Sequence, residues 1–318
     1  MSALLSFSPL GGGLFLGWTL GANNAANVFG TAVATRIVSF KKAAILCGLT
    51  VVLGAVLQGS AGIKTLSGLT QQSISTAVII SVSAAITGTI MTYLRIPIST
   101  SQAVVGAILG ISLSVRNAEY SGLTKIVLCW IGTPIGSMII ACVVYKILGW
   151  FISHIPMSML TRDKILWSGL LIVGMYGSYA LGANNVTNST GIFSGLIQGV
   201  SDKTLAAIGG AAIAIGVLTY SKPVMLAVGS KVMPLDAFSA LVAVLAMSIT
   251  VHVFAIIGAP VSTSQGIVGS IIGIGFMRGV RVINFRILRD IALGWVLTPL
   301  IALILAAAGF AIFISSAG

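Results

Sequence analysis

Pro97-Ile98-Ser99-Thr100-Ser101-Gln102 lies between two apolar stretches and returns as Pro260-Val261-Ser262-Thr263-Ser264-Gln265, an offset of 163 residues (260 minus 97). Towards the N-terminus, Gly21-Ala22-Asn23-Asn24-x-x-Asn27 returns as Gly182-Ala183-Asn184-Asn185-x-x-Asn188, an offset of 161 (182 minus 21). Towards the C-terminus of each half, Trp130 with Thr133-Pro134 matches Trp295 with Thr298-Pro299, an offset of 165 (295 minus 130). The offset drifts by a few residues across the chain, as in a duplicated unit. Two copies of a polar cluster, each inside apolar sequence, point to one binding site shared between repeats, which is the organisation of membrane transporters.

Composition agrees. The chain is 57% hydrophobic and 7% charged, against about 25% charged in an ordinary soluble domain, and its mean hydropathy is +1.10. Its apolar runs are long enough to cross a bilayer core, which takes roughly 20 helical residues. The 38 glycines suit close helix packing in a membrane. A net charge of +12 is no nucleic-acid signature here, because the basic residues fall in short gaps between apolar runs, as membrane loops do. No cleavable signal peptide stands out. Cys47, Cys129 and Cys142 lack metal spacing and read as small packing residues without disulfides.

The apolar pattern predicts an all-α polytopic membrane protein with helical runs near 3–36 (interrupted), 42–62, 73–95, 97–114 and 126–150. A second set follows near 165–200 (interrupted), 203–220, 236–258, 260–277 and 290–316. Residues 1–150 and 165–318 are the two repeats, with 151–164 as linker. An odd number of spans, about five, puts the second repeat in inverted topology. Loop charges agree: Arg36, Lys41 and Lys42 oppose Lys203 beside Asp202, and Arg278, Arg281, Arg286 and Arg289 oppose Arg116, Lys125 and Glu119. Equivalent loops carry opposite bias, as the positive-inside rule requires of inverted halves. The count places the chain in the cell membrane with both termini outside.

The motifs carry the chemistry. Pro97 disfavours helix at Ile96, so the chain breaks there. Ser99-x-x-Gln102 is a capping-box pattern, with Ser99 as N-cap and Gln102 reaching back to it, and Ser262 with Gln265 repeats it. A helix starting at this point offers free N–H groups and a positive dipole end, a ready anion site. Thr100 and Ser101 add hydroxyls that the cap does not consume. Capping alone would explain one copy, but a break at membrane depth must be buried in protein or line a cavity. Asn23 and Asn27 share a helix face while Asn24 points away, and Gly21 allows a kink or unwound turn. Carboxamides can meet an oxyanion through N–H or a cation through oxygen, and Asn184, Asn185 and Asn188 mirror the set. Lys64 and Lys222 read as snorkelling anchors, His154 as a linker residue and His252 as structural. Asp163, Asp202, Asp236, Asp290 and Glu119 fall in or beside loops. No triad, paired acid or metal cluster can be assembled, so no enzyme and no cofactor is expected.

With both motifs found twice, the chain resembles the inorganic phosphate transporter family from Gly21 to about Pro299. The resemblance implies an all-helical inverted-repeat permease, a homodimer in the lipid bilayer, that moves phosphate with sodium or protons. It further implies that Ser99, Thr100, Ser101, Ser262, Thr263 and Ser264 bind the anion, with Asn23, Asn27, Asn184 and Asn188 completing the anion and cation sites. Gln102 and Gln265 stand where some members have His. One departure matters: members usually carry Asp where this chain has Asn24 and Asn185, its candidate cation positions. Losing two carboxylates removes strong sodium ligands and also proton acceptors for hydrogen phosphate, so sulfate, carried by permeases of the same superfamily, competes as substrate. An anion channel built on the same dipoles is a further reading.

Overall fold

The computed structural model describes residues 8–67, 73–94, 98–115, 121–228, 235–279 and 285–317. Pro97, Arg116, Glu119, Arg281 and the side chain of Lys64 lie outside the described residues. The first half comprises α1 (Gly11–Ala34), α2 (Phe40–Gln58), α3 (Ser60–Ser67), α4 (Ile74–Tyr93), α5 (Thr100–Val115) and α6 (Ser121–His154). The second comprises α7 (Met159–Ser189), α8 (Asp202–Val228), α9 (Ala237–Ile257), α10 (Thr263–Arg278) and α11 (Phe285–Ala317). Seven of these helices are long and apolar enough to cross a membrane. The chain is a multi-pass helical membrane protein.

Local chemistry starts and stops the helices. Ser73 and Thr76 form a reciprocal capping box on α4. Ser158 caps α7 and Asp236 caps α9 by accepting the backbone N–H of Thr161 and Ser239. The α9 helix ends at Gly258, whose φ of 76° is left-handed, and a β-carbon there would also press on the carbonyl of Ala61 at 2.8 Å. The short helices α5 and α10 have 16 residues each, about 24 Å of rise, less than the roughly 30 Å hydrocarbon core. They are therefore too short to cross that core alone.

Packing pairs the halves. α1 lies along α8 as α7 lies along α2, and α5 lies along α11 as α10 lies along α6. The closest approaches recur in the same matched places. A β-carbon on Gly21 would collide with the carbonyl of Ile213, and one on Gly216 with that of Trp18. Gly182 meets Val51 and Gly54 meets Tyr179 in the same way. Helices at this separation gain dispersion contact that no side chain at these positions could allow.

Three expectations change. Gly21 and Gly182 make no unwound turn: α1 and α7 run unbroken through the Asn motifs, and these glycines serve helix contact. The interruptions fall after the motifs, at residues 35–39 and at the 3-10 turn Gly191–Phe193, while the run near 42–62 breaks at Gly59. The segment 151–164 is mostly helical, ending α6 at His154 and beginning α7 at Met159. Ser158 supplies the start, and the Nδ1 of His154 lies 2.8 Å from the carbonyl of Trp150.

Gly21→Ala and Gly182→Ala should each cost about 1–3 kcal/mol through overpacking, read as a lower midpoint of thermal unfolding in detergent. Gly11→Ala, where an added methyl meets nothing within 4 Å, should leave the midpoint unchanged or slightly higher. Equal responses at all three positions would contradict the packing account.

Candidate functional site

The N-terminal ends of α5 and α10 meet in the interior. Ser101 Oγ donates to the carbonyl of Val261 at 2.9 Å, and Ser264 Oγ donates to the carbonyl of Ile98 at 2.5 Å. The two bonds are mates, each sent from one half-helix to the residue preceding the other's cap. Every motif side chain is buried, none more than 5% exposed. Thr100 and Thr263 are at 2% and 1%.

Ser99 and Ser262 cap as expected, accepting the N–H of Gln102 and Gln265 at 3.3 Å. The return half of the capping box does not form. Gln102 Oε1 and Gln265 Oε1 have no partner among the described residues. The hydroxyl of Ser101 is not free either, since a carbonyl takes its proton. The same holds for Ser264, and the Ser262–Ser264 contact at 2.8 Å must then run from Ser262 to Ser264. Thr100 Oγ1 has no partner among the described residues. Thr263 Oγ1 accepts from Asn27 Nδ2 at 3.2 Å, leaving its proton to aim elsewhere. The open donors of the two helix starts are therefore the threonine hydroxyls and the first two N–H groups of each half-helix, which have no intrahelical acceptor.

The asparagines divide by task. Asn184 holds the break before α10: its Nδ2 donates to the carbonyl of Ala259 at 3.1 Å and its Oδ1 accepts the N–H of Val261 at 3.2 Å. A carboxamide thus satisfies backbone that lipid could not. Asn23 Nδ2 instead donates to Thr92 Oγ1 at 3.0 Å. Asn185 Nδ2 donates to the carbonyl of Leu181 at 3.1 Å, and Asn188 Nδ2 donates to Ser101 Oγ at 3.0 Å and to Asn185 Oδ1 at 3.4 Å. Carbonyls only accept, so the carbonyls of Val261 and Leu181 set the polarity of this whole chain of bonds. Asn188 Oδ1 and Asn24 Oδ1 are left as buried acceptors without a partner among the described residues. Oxygens of this kind suit a hard cation. Among the described residues no cluster of three His, Cys, Asp or Glu side chains could hold a metal ion.

Other residues fall away from this junction. His252 bridges Tyr176 Oη at 2.9 Å and Gln58 Oε1 at 2.6 Å, tying α9 to α7 and α2. Lys222 is exposed, its Nζ 5.9 Å from the centre of the Phe40 ring. An open groove lined by Leu14, Trp18, Ile208, Ala211, Ala212 and Ile215 is apolar and contains no motif residue. The threading of protons through Ile98, Ala259 and Val261 escaped sequence reasoning, because backbone carbonyls carry no residue-type signal.

A helical membrane protein whose two half-helices meet at a buried polar junction has the architecture of a permease. A model of the phosphate transporter family matches the chain over residues 20–169 and again over 160–306, and the chain belongs to that family. It is 31% identical over 291 residues to a protein of Methanocaldococcus jannaschii provisionally named a phosphate permease, with 92% of each chain covered. It is 28% identical over 298 residues to a sulfate permease of Bacillus subtilis, covering 91% of this chain and 83% of that one. A solved structure of a sodium-dependent phosphate transporter superposes with a TM-score of 0.86 at 22% identity, covering 98% of this chain and 99% of that one. That likeness concerns the fold.

Ser101→Ala with Ser264→Ala should destabilise the protein by about 1–3 kcal/mol for each carbonyl left without a donor. Thermal unfolding of the purified protein tests this. An unchanged midpoint would contradict the cross-half bonds.

Proposed function

We propose that the chain is a secondary transporter of inorganic phosphate. The observation that carries the reading is the buried meeting of two half-helix starts, each with a buried threonine and with no acidic residue in either motif. Opposed positive dipole ends and neutral donors favour a tetrahedral oxyanion. No Lys or Arg lies in the motifs, so the anion's remaining charge calls for a co-transported cation. Asn24 Oδ1 and Asn188 Oδ1, both unpartnered, are its ligands on this reading, with Asn185 holding Asn188. The family membership and the phosphate permease relative support phosphate. The sodium-dependent neighbour suggests sodium as the coupled ion, with a proton as the other choice.

In this mechanism 1–150 and 165–318 are inverted repeats that rock around the fixed junction, with both termini on the outer face of the cell membrane and the chain working as a homodimer. The matched pairings of the two halves favour that symmetry. The motif side chains, sealed from every side, correspond to an occluded state between openings. Sulfate is the second reading, favoured by the Bacillus subtilis relative and by Asn24 and Asn185 in place of carboxylates.

Purified protein in proteoliposomes should accumulate labelled phosphate under an imposed sodium or proton gradient. Thr100→Val with Thr263→Val should lower apparent affinity by about tenfold or more, at roughly 1.4 kcal/mol per decade, while the protein still folds. Unchanged uptake would remove the hydroxyls from the site, and uptake of neither phosphate nor sulfate would end the reading. Asn24→Asp with Asn185→Asp should raise sodium dependence; an identical sodium response would remove these positions from the cation site.

A further inference from the structure

Five buried polar atoms remain that the proposed transport cycle does not use: Thr187 Oγ1 and two matched pairs. Gln102 Oε1 and Gln265 Oε1 are acceptors, Trp130 Nε1 and Trp295 Nε1 are donors, and none has a partner among the described residues. Gln102 and Gln265 are the third residues of α5 and α10, and are only 5% and 3% exposed. The tryptophans belong to α6 and α11, four residues ahead of Pro134 and Pro299.

Packing places acceptor opposite donor. Gly269 of α10 abuts the carbonyl of Pro134, and Gly273 abuts that of Met138. Each step of four residues on one helix matches four on the other, so α6 and α10 run in the same direction in register. One turn back along both facing stripes stand Gln265 and Trp130. On the other side, Gly106 abuts the carbonyl of Pro299 and Gly110 that of Leu303. One turn back there stand Gln102 and Trp295. Each half-helix thus brings a glutamine level with a tryptophan of the neighbouring helix, and the amide oxygen and indole N–H stay without a partner among the described residues.

A buried donor and a buried acceptor held apart each keep their desolvation cost until something enters between them. A hydroxyl satisfies both, because its oxygen accepts from the indole and its proton goes to the amide. Resting on the oxyanion reading of this junction, we propose that Gln102 with Trp295 and Gln265 with Trp130 recognise protons on the bound anion. They thereby select hydrogen-bearing phosphate over sulfate. Dihydrogen phosphate carries two P–OH groups, one for each amide oxygen, and hydrogen phosphate carries one. Sulfate at neutral pH carries none, and would set its oxygen lone pairs against those of the amide. A pocket built to receive a hydroxyl rejects the analogue lacking it far more strongly than a size filter rejects a change of shape.

The test is competition against labelled phosphate uptake into proteoliposomes at neutral pH, using arsenate as a hydrogen-bearing analogue and sulfate and selenate as hydrogen-free ones. Arsenate should compete at concentrations close to those of phosphate itself, and sulfate and selenate only at concentrations at least about tenfold higher. Gln102→Met with Gln265→Met should narrow the phosphate-to-sulfate preference by about tenfold. Trp130→Phe with Trp295→Phe should weaken both anions together and leave the preference in place. Sulfate competing as well as arsenate would overturn the proposal, and this arm uses the unaltered protein, so it holds even if the glutamine variants fail to fold. An equal loss of both anions in the glutamine variants would also overturn it, since it would mean that these atoms hold only a resident water. Absence of labelled phosphate uptake would overturn the phosphate-transporter reading itself, and this selection with it.

Discussion

Two hydroxyl-to-carbonyl bonds, Ser101 to Val261 and Ser264 to Ile98, bring the rest of the site into being. A helix cannot begin in the middle of a bilayer unless its exposed backbone groups find partners. Here each half-helix supplies a donor to the chain just ahead of the other, so neither break can be satisfied without its mate. The duplication is therefore a physical requirement of the junction as well as a historical mark on the sequence. Asn184 extends the same solution by bonding both Ala259 and Val261.

Saturation of most of the polar groups gives the few open ones their meaning. Fourteen polar motif side chains pack into one buried region, and most of their protons have fixed destinations. Open donors remain at Thr100 and Thr263, beside helix starts, while open acceptors remain at Asn24, Asn188, Gln102 and Gln265. Donors facing an anion and acceptors facing a cation or a proton are what coupled movement of the two would use. In the low dielectric of the membrane interior such unpaired atoms are costly, and on the proposed reading bound ligands recover that cost.

The fold was largely legible in the sequence because it is written twice. Hydropathy marked out the membrane-length helices, and Ser99 and Ser262 were identifiable as caps from their neighbours. What could not be read was the role of each polar group within the cluster. Gly21 and Gly182 suggested kinks, yet their purpose lies across the interface, at the carbonyls of Ile213 and Val51. Ser101 looked like a free donor because its acceptor, a backbone carbonyl, lies 160 positions further along the chain. Trp130 and Trp295 registered only as echoes of duplication, since nothing in their spacing shows that an indole nitrogen will stand level with a glutamine one helix away.

The central claim is that paired half-helix starts hold an oxyanion at a buried junction. Its most direct measurement is the unfolding midpoint of the purified protein as inorganic phosphate is raised from zero to far above saturation. Ligand that binds only the folded state stabilises it by about 2.7 kcal/mol at a hundred times its dissociation constant. The account predicts a rising, saturable midpoint that chloride at equal ionic strength does not reproduce. A midpoint indifferent to phosphate and to sulfate at every concentration would contradict it.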